Sequence, residues 1–242
     1  MSSSFNIGIY LDEGVSASSF FSLKDFCLKH TGMSVKKINA ESIKANEISH
    51  LKWIFFPGGR DVFYHQKLKG EGCSILEEWV FNGGHYIGIC AGAYFACEGI
   101  EFEKGYPLEV IEKRDLGFFP GTAIGPAYEK GIFDYHSNAG SSIAWLSLKE
   151  DENFQSFFKG GCYFSPRVKE GFEVLANYDN LDSKPIAVVL KKHGKGKVLL
   201  SGVHPEFSFQ YIEKKHPDLL EKIKGKENFG HIFFSKILSY LA

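Results

Sequence analysis

Short apolar runs alternate with segments of helical period through the first part of the chain. Residues 5–11, 34–38, 53–56 and 86–89 read as buried strands. Between them, residues 20–30 place Phe20, Leu23, Cys27 and Leu28 largely on one face and stop at Gly32, which predicts a helix. Residues 40–46 allow one or two helical turns. Residues 75–81 form an amphipathic helix closed by Asn82-Gly83-Gly84. This alternation predicts an α/β fold: a doubly wound, mainly parallel sheet with helices on both faces.

From Glu101 onward the pattern changes to short runs broken by turns, at 108–111, 117–120, 122–126, 143–148, 173–178 and 185–190. Gly160-Gly161-Cys162-Tyr163-Phe164 is a glycine-rich turn into a strand, and the lysine-rich stretch 191–197 is a hairpin tip leading into residues 198–203. The expectation is an added β-rich segment after residue 90. Residues 219–223 and 232–241 then close the chain as helices, the second with Ile232, Phe233, Ile237 and Leu241 at core-facing spacing. No repeat or linker divides the sequence, so residues 1–242 are expected to form one domain.

Composition narrows the function classes. The chain is 44% apolar and 24% charged with a net charge of -1, which gives no electrostatic reason to expect nucleic acid or an anionic membrane as partner. Its apolar runs end well before the roughly 18 residues a membrane span needs. The start, Met1-Ser2-Ser3-Ser4, lacks a basic stretch followed by a long apolar one, so a cytoplasmic protein is expected. Five cysteines without a C-x-x-C pair suit a reducing compartment and point to neither a disulfide framework nor a zinc site. No metal or cofactor is implied. Phenylalanine is abundant, with 23 residues, and reads as a Phe-rich core.

Three features end on the carboxyl edge of the predicted sheet, where open α/β sheets bind ligands. Gly88-Ile89-Cys90-Ala91-Gly92 places a cysteine on a strand-to-helix turn flanked by glycines, the build of an α/β-hydrolase nucleophile elbow with sulfur in place of oxygen. Gly202-Val203-His204-Pro205-Glu206 follows another apolar run. In an extended segment residues i and i+2 point the same way, so Glu206 can orient the His204 ring while its other nitrogen serves Cys90. The N–H groups of Ala91 and of Gly58-Gly59, after Pro57, are the expected oxyanion donors. Each feature has a plainer reading, as a buried thiol or a simple turn. Three converging roles favour catalysis. Redox pairing of Cys90 with Cys97 is the weaker idea, because in a continuous helix a spacing of seven separates them by about 10 Å, too far for a disulfide.

At these residues the sequence resembles the class I glutamine amidotransferase superfamily, and more narrowly the biotin-protein ligase N-terminal domain family. Residues 55–61, 84–96, 102–126, 160–164 and 202–206 carry the resemblance. It implies a flavodoxin-like fold, a Cys90-His204-Glu206 triad, and a small amide or related acyl compound as substrate. Arg60, Asp61, Tyr94, Gly161 and Tyr163 are candidate substrate contacts. Tyr94 stands where glutamine-using members carry a Gln, and the glycine- and arginine-rich motif of a biotinyl-adenylate ligase is missing from the sequence. The alternative reading is a non-catalytic module that binds a metabolite or regulates a partner.

Overall fold

A computed structural model describes residues 7–32, 34–149 and 152–241. Its first half alternates strand and helix: β1 (Ile7–Tyr10), α1 (Ala17–His30), β2 (Val35–Ile38), α2 (Ala40–Lys44), β3 (Trp53–Phe56), α3 (Asp61–Leu68), α4 (Glu71–Phe81), β4 (His85–Ile89) and α5 (Ala91–Phe95). Then come β5 (Cys97–Phe102), β6 (Val110–Lys113), β7 (Phe119–Gly125), β8 (Ser141–Leu148), β9 (Asn153–Lys159), β10 (Tyr163–Pro166), β11 (Glu173–Tyr178), β12 (Ile186–His193) and β13 (Gly196–Ser201). The chain finishes with α6 (Phe209–Lys215), 3-10 turns at Pro217–Lys222 and Lys226–Asn228, and α7 (His231–Ser239).

The sheet runs β2-β1-β3-β4-β13-β12-β10-β7-β5-β6. Its first five strands are parallel, and β12 turns antiparallel against β13. The added strands thus extend the same sheet beyond the parallel half, while β11 leads from β12 to the β8-β9 hairpin. This is the α/β fold expected of the sequence, with its β-rich extension.

Period-two alternation decides which side each helix covers. Ile54 and Phe56 join the core under α2, α3, α4 and α5, whereas Phe55 joins the core under α1 and α7. Ile87 and Ile89 repeat the pattern from β4, facing the α1 and α7 side with Leu199 of β13. Helices therefore lie on both faces. The abundant phenylalanines are largely core: Phe55, Phe56, Phe95 and Phe158 are fully buried.

Several expectations are corrected. The helix expected at 75–81 begins at Glu71, and α1 begins at Ala17, where the Ser16 side chain accepts from the Ser19 N–H. Besides β5 and the 3-10 turn at Lys226–Asn228, three elements were not expected. α3 buries Asp61, Tyr64 and Leu68, a mixed face without an apolar stripe; β9 buries Gln155 and Ser156 among its phenylalanines; α6 buries Ile212 alone. The helix after Cys90 stops at Phe95 and Cys97 opens β5, so the premise of a continuous helix joining the two cysteines fails. Residues 219–223 fall mostly in a 3-10 turn, and Ile232 is exposed while Phe233, Phe234, Ile237 and Leu238 face the core. Residues 5 and 6 of the first expected strand lie outside the described residues. Among the described residues no helix is long and apolar enough to cross a membrane.

One close approach ties the strand ends together. The Gly92 N–H donates to the Pro57 carbonyl at 3.2 Å, and a Cβ on Gly92 would run into the Phe56 carbonyl. Gly92→Ala is expected to lose about 2 kcal/mol of stability by overpacking, read as an earlier urea midpoint at unchanged slope.

Candidate active site

The carboxyl ends of β3, β4 and β13 lie side by side, because β4 pairs in parallel with both of the others. Cys90 follows β4 with φ +50, an uncommon conformation for a non-glycine residue, and its N–H is held by the Ser201 carbonyl of β13 at 2.9 Å. His204 follows β13, and its N–H donates to the Phe157 carbonyl of β9 at 2.9 Å. The three carboxyl ends and β9 thereby meet at one place.

The side chains form a buried polar chain. His204 Nδ1 lies 2.8 Å from Glu206 Oε1, with Glu206 fully buried. The same Oε1 accepts from the Ser19 hydroxyl at 2.6 Å, and Ser19 Oγ accepts from the Gly58 N–H at 2.9 Å. On its other side His204 Nε2 lies 3.2 Å from the Lys159 carbonyl, which also accepts from the Cys90 thiol at 3.8 Å. Cys90 and the His204 ring thus converge on one carbonyl and line the same cavity. Burial alone drives that ring toward neutrality, but the Glu206 carboxylate and the Cys90 sulfur outweigh it and hold its pKa well above the ordinary 6.5.

A cavity of about 520 Å³ opens over Cys90 and His204. Gly59, Ala91, Arg60, Asp61 and Tyr94 line it; Gly58, Gly161 and Tyr163 do not. Gly58 has another place, packed against the His204 ring: a Cβ there would come within 2.5 Å of His204 Cε1, and its N–H is engaged by Ser19. Gly161 is pressed against the Gly202 backbone, while Tyr163 pairs across β10 and β7 with Ile124 and packs on the core beneath α1 and α7. The N–H groups of Gly59 and Ala91 donate to no protein acceptor among the described residues. Tyr94 is buried, its hydroxyl donating to the Gly160 carbonyl at 3.2 Å, and Gly125 has no room for a Cβ beside that hydroxyl.

Asp61 is engaged by Arg114, whose Nε donates at 2.8 Å; burial pushes the Asp61 carboxyl up, and Arg114 offsets this only in part. Reasoning from sequence missed Ser19, Lys159, Arg114 and the segment 133–138 that walls the cavity. Ser19 carries no motif, and Lys159 enters through its backbone carbonyl. Only the long loop between β7 and β8 hinted at the wall. Among the described residues no group of three or more His, Cys, Asp or Glu side chains is placed to hold a metal.

The family described as "Biotin-protein ligase, N terminal" matches residues 5–242. An uncharacterized protein of Chlamydia muridarum is 36% identical over 255 residues, covering 96% of this chain and 94% of its own. The biotin-protein ligase of Schizosaccharomyces pombe is 34% identical over 165 residues, 64% of this chain and 25% of that protein, so the match spans a quarter of the ligase. Among solved structures, a glutamine amidotransferase superposes with a TM-score of 0.60 at 25% identity, over 83% of this chain and 90% of that one. PurLQS from Thermotoga maritima superposes with a TM-score of 0.64 at 15% identity over 99% and 100%, a likeness of fold.

The raised His204 pKa sets a sign. Its ion pair contributes fully to stability below pH 6.5, the unfolded value, and that contribution is lost as pH rises through the folded value. Proton NMR is expected to show a His204 titration midpoint above 6.5, and Glu206→Gln to lower it. A wild-type midpoint at or below 6.5 would mean that Glu206 does not offset the burial of the ring.

Proposed function

The chain belongs to the biotin-protein ligase N-terminal family, and on that premise we propose that it is a cysteine-dependent, amidotransferase-like enzyme acting on a small amide or related acyl compound. The observation that carries this reading is the meeting of Cys90 with the buried His204-Glu206 pair in one cavity. The Cys90 sulfur attacks the carbonyl carbon, and the developing oxyanion is received by the N–H groups of Gly59 and Ala91. One such donor is worth about 3 kcal/mol of barrier. As the tetrahedral species collapses, the carbon–nitrogen bond breaks and the leaving amine takes its proton from His204. Water, or an amine acceptor, gives up a proton to His204 and attacks the thioester, which restores the Cys90 sulfur.

Glu206 orients the base, and Ser19 and Gly58 keep that carboxylate and ring in place. Arg60, Asp61 and Tyr94 contact substrate from the cavity wall. Asp61 does so with its Arg114 partner attached. Tyr94 occupies the place of a glutamine-holding side chain, so an acyl compound other than glutamine suits the site better. The family name describes ligases of which this region is one part. Ligation itself is no part of the proposed activity.

The test exploits the other thiols. Burial pushes the thiols of Cys27 and Cys73 up to about 12 and those of Cys97 and Cys162 well above their ordinary value. Iodoacetamide at pH 7.5 is therefore expected to label Cys90 first in the native protein, by peptide mass. His204→Ala is expected to slow that labelling by about tenfold or more, in line with loss of the imidazolium that favours the Cys90 thiolate. Cys90 labelling no faster than Cys73, in wild type and variant alike, would remove the nucleophile from the proposal.

A further inference from the structure

Two cations of the catalytic cavity make no ion pair with a carboxylate among the described residues. Of the three arginines, Arg114 pairs with Asp61 and Glu112, and Arg167 with Glu98, but Arg60 makes no ion pair among the described residues. Its guanidinium lies instead between two rings, 5.0 Å from the centroid of Phe63 and 4.7 Å from that of Tyr135. Tyr135 stands edge-on to Phe133, with centroids 4.8 Å apart, and Lys159 Nζ lies 5.8 Å from the Phe133 centroid. The Lys159 ammonium donates to the Ser137 carbonyl, and Asp134 acts on it only from beyond ion-pair distance. Arg60, Tyr135, Phe133 and Lys159 thus form one cation–aromatic ladder along a wall of the cavity that holds Cys90.

We infer that this ladder is the anion subsite of the enzyme, and that the acyl substrate carries a carboxylate, held by Arg60 with Lys159 adding charge, and no α-ammonium group. The inference rests on the proposed thiol chemistry for the place of the scissile carbonyl. A guanidinium carries five N–H donors in a planar fork, so beside the two rings it can still meet a carboxylate with two parallel hydrogen bonds, which a lysine in that position would not do. Arg60 lies at the start of α3, anchored through its N–H to the Gly14 carbonyl at 2.8 Å, so the side chain starts from a fixed point. The two carboxylates on the lining already hold donors: Asp61 holds Arg114, and Glu109 holds the Gly105 N–H at 2.7 Å. Neither is left as a dedicated acceptor for an α-ammonium.

Two measurements test this separately from the thiol chemistry. Alkylation of Cys90 forms a carbon–sulfur bond as iodide leaves, with an anionic reagent (iodoacetate) or a neutral one (iodoacetamide). Arg60→Gln is expected to lower the iodoacetate rate about tenfold, as loss of one charge-assisted hydrogen bond does, and to leave the iodoacetamide rate within about twofold. Lys159→Gln is expected to act in the same direction, more weakly, and Arg60→Lys to restore part of the loss. Calorimetry with glutarate and with glutamate needs no thiol. Glutarate is expected to bind wild type and Cys90→Ala alike, about tenfold more weakly to Arg60→Gln, and more tightly than glutamate. Equal glutarate binding by wild type and Arg60→Gln, or none by wild type, overturns the subsite whatever Cys90 does. Glutamate binding as tightly as glutarate overturns the exclusion of an α-ammonium. A slow Cys90 beside normal glutarate binding would count against the thiol chemistry alone.

Discussion

The structure depends on how closely three strand ends can approach one another. β4 lies between β3 and β13, and the turn after it must fit beneath the turn after β3. Gly92 makes that possible, since its N–H reaches the Pro57 carbonyl and a side chain there would strike the Phe56 backbone. The same turn holds Cys90 at positive φ, with its N–H tied to the Ser201 carbonyl of the neighbouring strand. Strain of this kind, commonly about 1 to 3 kcal/mol, persists where surrounding bonds over-determine it. Here those bonds come from both neighbouring strand ends, and they present the sulfur to the cavity.

The β-rich extension closes what the parallel half leaves open. A bare carboxyl edge would expose Cys90 and His204 to water. The end of β9 runs beside His204, and residues of the segment 133–138 line the cavity. Tyr94 fills the floor under a glycine, Gly125, that gives its hydroxyl room. The extension therefore shapes the cavity, while the parallel half places Cys90 and His204.

The two halves were unequally legible in the sequence. The parallel strands are short apolar runs bounded by glycine, and their period is visible without contacts; Ile54, Phe55 and Phe56 alternate faces as the sheet requires. Cys90, His204 and Glu206 were legible because each follows such a run. α3 and β9 were not, because burial there includes Asp61 and Gln155, whose partners are distant in sequence: Arg114 for Asp61, and backbone near Lys222 and Lys224 for Gln155. Gly58 looked like an oxyanion donor because a glycine loop after a strand offers free N–H groups. Ser19, 39 residues earlier, takes that N–H, and no local signal announces it.

Ser19 also shows why the His204 ring stays charged in a buried place. Removing an imidazolium from water is costly, and an unpaired one would give up its proton. Both ring nitrogens of His204 face acceptors: the Glu206 carboxylate on one side and the Lys159 carbonyl on the other. A neutral ring has one N–H and can donate to only one of them; the doubly protonated ring donates to both. The carboxylate that balances this charge is itself fixed by the Ser19 hydroxyl, which in turn is fixed by the Gly58 N–H. Coulombic pairing and hydrogen bonding thus act in the same direction against a single opposing effect, burial. Their combined sign is the raised His204 pKa, and it follows from a polar chain that begins at the first turn of α1 and ends beside the sulfur of Cys90.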